Sequence, residues 1–96
     1  MSKTILWKYN EIETDAETGY ETGNTIEHNI SLKYSYLSGK AIVTIDGNKF
    51  DISERPFALK GTEQIFRLGE SAAMLKFEKG TPTVTVDNVI LQPERN

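Results

Sequence analysis

Apolar side chains recur at every second position along most of the chain. The longest run is Ile26, His28, Ile30, Leu32, Tyr34 and Tyr36, interleaved with Glu27, Asn29, Ser31, Lys33 and Ser35. Side chains on a strand point alternately to opposite faces, so this spacing predicts a strand with one apolar and one wet face. Ile5, Trp7 and Tyr9 show the same period, as do Ala41, Val43 and Ile45, with Phe50 and Ile52 after them. Shorter sets follow at Phe66 and Leu68, at Ala73, Leu75 and Phe77, at Val84 and Val86, and at Ile90. Together they amount to about eight short strands.

Turn residues fall between these runs. Ser38-Gly39 and Asp46-Gly47 each separate two alternating segments, and Asp-Gly is a strong signal for a two-residue hairpin. Lys79-Gly80 and Asp87-Asn88 divide the last third in the same way. Pro56 and Pro82 lack a backbone donor and belong in loops or at strand ends. No stretch carries a sustained 3.6-residue stripe; positions 53–59 and 70–74 have room for a single helical turn at most. Short strands with turns between them predict an all-β fold, an antiparallel β-sandwich. Residues 13–24 have no apolar period and hold Glu13, Asp15, Glu17 and Glu21, so they read as a long acidic loop within it.

At 96 residues the chain reads as one domain, residues 1–96. Eleven Lys and Arg against fourteen Asp and Glu leave a net charge of −3, which argues against a nucleic-acid or anionic-membrane surface. The acids are uneven: residues 1–48 carry four Lys and seven acids, and residues 49–96 carry seven cations and seven acids. The absence of cysteine excludes disulfides, thiolate zinc sites and thiol catalysis, and a single histidine excludes multi-histidine metal centres. No apolar run resembles a signal peptide or a membrane span, so a cytoplasmic location is expected.

Candidate chemistry is sparse. The acids at 11, 13, 15 and 17 lack the Asp-x-Asp-x-Asp-Gly spacing of a calcium loop, and no metal is expected there. His28 falls on an apolar strand face with no nucleophile at a recognisable spacing, and G-x-S-x-G is missing. It is expected to be structural, neutral and bonded to the backbone. Gly39-Lys40 lacks the rest of a phosphate-binding loop and reads as a turn. Trp7, Tyr9, Tyr20, Tyr34 and Tyr36 would make a stacking platform if exposed together. Because Trp7, Tyr34 and Tyr36 share faces with aliphatic residues, core packing is expected for them, and exposure for Tyr20.

Three segments resemble the β-domain of Fas apoptotic inhibitory molecule. They are Ser38-Gly39-Lys40 with the strand and Asp46-Gly47 after it, then Gly61-Thr62-Glu63-Gln64-Ile65-Phe66-Arg67-Leu68-Gly69, then Val86-Asp87-Asn88 with Pro93-Glu94 beyond. Their order and approximate spacing match over about residues 25–94. The resemblance implies an antiparallel β-sandwich without catalytic activity, in a family associated with survival signalling and with limiting aggregation. Family members carry two such domains and this chain one, which separates it from anything needing both.

The expected function is therefore a non-catalytic protein-interaction module, with no catalytic, cofactor or metal residues. It would act through loops or an exposed strand edge, where unpaired backbone groups can accept a partner strand. Lys33 and Lys76, on wet faces, discourage uncontrolled pairing. The alternative reading is a small carbohydrate-binding module using exposed aromatics.

Overall fold

A computed structural model describes residues 2–94. Eight strands follow in order: β1 (Lys3–Thr14), β2 (Glu21–Tyr34), β3 (Ala41–Ile45), β4 (Asn48–Asp51), β5 (Glu63–Leu68), β6 (Ser71–Lys76), β7 (Thr83–Val86) and β8 (Val89–Ile90). They form two four-stranded antiparallel sheets, β1-β2-β3-β4 and β5-β6-β7-β8, each a simple meander. The all-β expectation holds. Among the described residues there is no helix, so neither 53–59 nor 70–74 forms a helical turn. Positions 70–74 instead complete a hairpin turn and open β6, where cross-strand pairing satisfies the backbone. Nor is any helix long and apolar enough to cross a membrane.

The core lies between the sheets. Trp7, Ile30, Leu32, Tyr34, Val43 and Ile45 come from the first sheet, and Leu68, Ala73, Leu75, Val84 and Val86 from the second. Phe77, one residue past β6, and Leu59, in the connection between sheets, are fully enclosed as well. Phe66 is only half-buried, because β5 is an edge strand; its ring meets Phe50 of the edge strand β4 at 5.8 Å and closes one side. On the other side the C-terminal segment crosses back to the first sheet. There the Glu94 amide donates to the Leu6 carbonyl on the free edge of β1, and Lys8 pairs with Glu94 at 3.9 Å.

Three hairpins are two-residue turns. Asp46-Gly47 and Asp87-Asn88 take positive φ at both central positions, the type I′ pattern that matches strand twist. Gly69-Glu70 places glycine first, as type II′ requires.

Residues 13–24 are not one loop. Pairing runs on to Thr14 and resumes at Glu21, with a bulge between Ile12 and Thr14. Only positions 15–20 form the turn, in which Asp15 accepts from the amides of Glu17 and Thr18. Since β3 pairs only with Ile30–Tyr34 of β2, the far part of this hairpin projects beyond the sandwich as an arm. Every residue from 14 to 27 is exposed. A 14-residue strand rises about 46 Å, which accounts for the 48 Å long axis against 25 and 22 Å across.

The same six-residue turn recurs at the opposite end of β2. In positions 35–40, as in 15–20, the first amide donates to the last carbonyl and the glycine amide donates back to the first carbonyl. Gly19 and Gly39 share the left-handed conformation, with φ of 76° and 79°. Tyr36 therefore sits in a turn and not on β2, its hydroxyl donating toward the carbonyls of Glu78 and Gly80.

Candidate functional site

Two places concentrate polar chemistry. The first lies where the arm meets the sandwich. Glu11 shares a β1 face with Trp7 and Tyr9, and His28 faces inward from β2, directly opposite Tyr9. His28 Nε2 lies 3.1 Å from Glu11 Oε1, and Nδ1 lies 2.7 Å from Asp46 Oδ2. Glu11 Oε2 accepts from the Glu70 amide at 2.7 Å, and Asp46 Oδ1 from the Asn29 amide at 2.8 Å. Glu11 reaches across the sandwich into the β5–β6 turn because Gly69 has no side chain; a Cβ there would overlap its carboxylate. Two strands and two turns are thus tied together by one ionic latch.

This arrangement corrects the expectation of a neutral, backbone-bonded histidine. Burial pushes the His28 pKa down, but the hydrogen bonds to Asp46 and Glu11 outweigh it and the net direction is up. Glu11 is held low by the His28 bond and then by the Glu70 amide. Asp46 is desolvated, which raises its pKa, yet its bonds to His28 and Asn29 bring it below the ordinary value. The ring is clamped between two carboxylates, one at each nitrogen, so that in its protonated form both nitrogens donate. It offers no free nitrogen to a substrate proton, and Ser71 Oγ is bonded to the Tyr9 hydroxyl, not to the ring. The carboxylates flank opposite sides of the ring, and among the described residues no set of side chains converges to hold a metal ion.

The latch sets a pH window. A raised histidine pKa contributes stability that is complete below its ordinary 6.5 and is lost as pH rises through the raised value. The lowered carboxyls contribute above their ordinary 4.5 and 3.8 and lose it as pH falls through the lowered values. The latch is therefore at full strength between about 4.5 and 6.5. We expect the melting temperature to decline on the alkaline side, and His28→Gln to lower it at pH 6 while removing that decline. A histidine ring that NMR shows to titrate below its ordinary value would contradict the clamp.

The second place is the opposite pole, around the 35–40 turn. Lys3, Tyr34, Tyr36, Leu37, Lys60 and Thr81 line an open groove of about 510 Å³. An adjoining hollow shares Tyr34, Ser35 and Leu37 with it and adds Lys33, Lys40 and Ile42. Four lysines rim these hollows, and no carboxylate of the described residues lines either one. Among the described residues none of the four is within ion-pairing distance of an acid. Lys40 is the least of the influences on the nearby Asp51 carboxyl, which is held low mainly by its bonds from Ser53. Leu37 stands 61% exposed at the crest, and Lys60 Nζ lies 5.9 Å from the Tyr36 ring centroid. Gly39 fixes this pole: a Cβ there would collide with the carbonyls of Glu54 and Arg55, so the connection between sheets packs directly on the turn.

The remaining sequence candidates separate. Trp7 and Tyr34 are core residues, Tyr9 is half-buried beside His28, and Tyr36 is half-buried at the lysine pole. Tyr20 is 77% exposed at the tip of the arm. These five aromatics form no common platform. Lys33 is exposed as expected, while Lys76 is half-buried. The acids of the arm do not converge either: Glu11 turns into the latch, Glu13 accepts from Thr22, and Asp15 caps its own turn. No protein-family model matches the chain, and no curated protein or solved structure does so either.

Proposed function

We propose that this chain is a non-catalytic protein-recognition module that takes acidic, aromatic-bearing segments of a partner protein at its lysine pole. The observation that carries this reading is the groove beside Tyr36 and Leu37, rimmed by Lys3, Lys33, Lys40 and Lys60 with no acid of the described residues in its lining. An apolar floor with a charged rim is the usual composition of a recognition surface, the floor supplying affinity and the rim orientation and rate. A polyanion such as nucleic acid suits it poorly, because the acidic arm and the net charge of −3 oppose a long uniform negative strand. The clamped state of His28 supports the non-catalytic part of the reading. A cytoplasmic setting and a role like that of the Fas apoptotic inhibitory molecule family, which residues 25–94 resemble, belong to the same proposal.

A labelled peptide of alternating Glu and Tyr, titrated by fluorescence anisotropy, tests it. Binding should weaken on Lys40→Gln with Lys60→Gln by about three- to tenfold, as expected for two rim charges worth about 0.3–0.7 kcal/mol each. Leu37→Ala should weaken it further, and Lys49→Gln, on β4 away from the groove, should not. A peptide of alternating Lys and Tyr binding equally well would overturn the proposal.

A further inference from the structure

The two poles of the molecule are complementary. From residue 9 to residue 32 there is no lysine or arginine, and the arm carries Glu13, Asp15, Glu17, Glu21 and Glu27. At its tip Tyr20 projects between Glu17 and Glu21, both exposed, with Ile12 and Ile26 exposed on the shaft. The lysine groove with its aromatic and leucine floor lies at the other end of the same strand, β2. The molecule thus holds at one end the kind of segment that its other end is built to receive.

We propose that the arm of one molecule docks in the lysine groove of a second copy, so that copies associate head to tail. This rests on the reading of the groove as a recognition site and names its occupant. Tyr20 enters beside Tyr36 and Leu37, while Glu17 and Glu21 meet Lys60, Lys3 and Lys40 at the rim. Burying a tyrosine ring provides contact area at small entropic cost, and its hydroxyl can stay at the wet rim. The contact joins different surfaces on the two partners, so it is heterologous. Because the surfaces lie at opposite ends of a rod, it propagates into an open chain and does not close a dimer. The arm is slender and its acids are hydrated, so the association is weak and depends strongly on salt. The six-residue turn is shared by both poles, and the side chains it displays differ: Ala16, Glu17 and Thr18 at the arm, Tyr36, Leu37 and Ser38 at the groove.

Sedimentation velocity of the whole chain across a concentration series is the test. Average mass should rise with concentration beyond that of a dimer. It should fall back toward the monomer when salt is raised from about 0.01 M to about 1 M, which shortens the screening length from ~30 Å to ~3 Å. Two variants isolate the surfaces. An arm variant (Glu17→Gln, Tyr20→Ala, Glu21→Gln) and a groove variant (Lys40→Gln, Lys60→Gln) should each stay monomeric. Mixed, they should form a one-to-one complex and stop there, because one intact arm then meets one intact groove. A chain that is monomeric throughout, or a dimer that neither variant disturbs, overturns the proposal. The Glu-Tyr peptide keeps the two readings apart: if it binds the arm variant normally while the native chain stays monomeric, self-association fails and the groove reading stands. If it binds no form of the chain, the groove reading fails with it.

Discussion

Truncating Phe77 to alanine is expected to cost about 3–5 kcal/mol, the range for removing an enclosed aromatic side chain. Phe77 is fully buried and meets the rings of Tyr34 and Tyr36 edge-on at 6.2 and 6.3 Å. A small domain has only about 5–15 kcal/mol in all, so the variant should be barely folded at room temperature. Phe66→Ala should cost much less, about 1–2 kcal/mol, because the half-buried Phe66 ring already faces water on one side. The sequence pattern alone puts Phe66 in the core at full cost; its place on an edge strand, against Phe50, changes that. Urea denaturation of both variants measures the difference. Equal losses would mean that the sheets are not stacked as described.

Gly39→Ala and Gly19→Ala form the second pair. Both glycines occupy the same position of the same turn at nearly the same φ, so alanine meets the same backbone strain of about 1–2 kcal/mol at each. Around Gly19 nothing lies within 4 Å of the added methyl. At Gly39 the methyl would run into backbone carbonyls of Glu54 and Arg55, which can yield only if the connection between the sheets moves. We expect Gly39→Ala to cost about 3 kcal/mol or more, and Gly19→Ala about 1. The difference reports the close approach and not the turn. Comparable losses at the two sites would place that connection elsewhere.

These residues also show which parts of the molecule can be read from its sequence. Alternation located the inner strands of the sandwich because β2, β3, β6 and β7 each have one buried face, and Asp46-Gly47 and Asp87-Asn88 marked their turns. The arm escaped because alternation records one-sided burial, not strand pairing. A hairpin that is wet on both faces pairs its backbone without leaving a pattern. Its turn was visible in another way, since Asp15 to Tyr20 and Ser35 to Lys40 share the same spacing of a short polar residue, a hydroxyl and a glycine. Alternation turned His28 inward correctly, and the same parity puts Glu11 on the face of Trp7 and Tyr9. What it does not carry is Asp46, which reaches the ring only through the β3–β4 turn. Net charge concealed the lysine pole, because Lys3, Lys33, Lys40 and Lys60 are far apart in sequence and the total averages them with the arm.

Recognition at the lysine pole is the central claim, and an amide chemical-shift map tests it most directly. The ¹⁵N-labelled chain, held dilute in moderate salt, is titrated with the Glu-Tyr peptide and each backbone amide is followed. The shifts should cluster at Tyr36, Leu37, Ser38 and Lys40, at Lys60, and at Gly80 and Thr81. The outer face of the second sheet around Ile65 and Met74 should stay still. Shifts centred on that face or on the free edge of β1, with the 35–40 turn unmoved, would contradict the account.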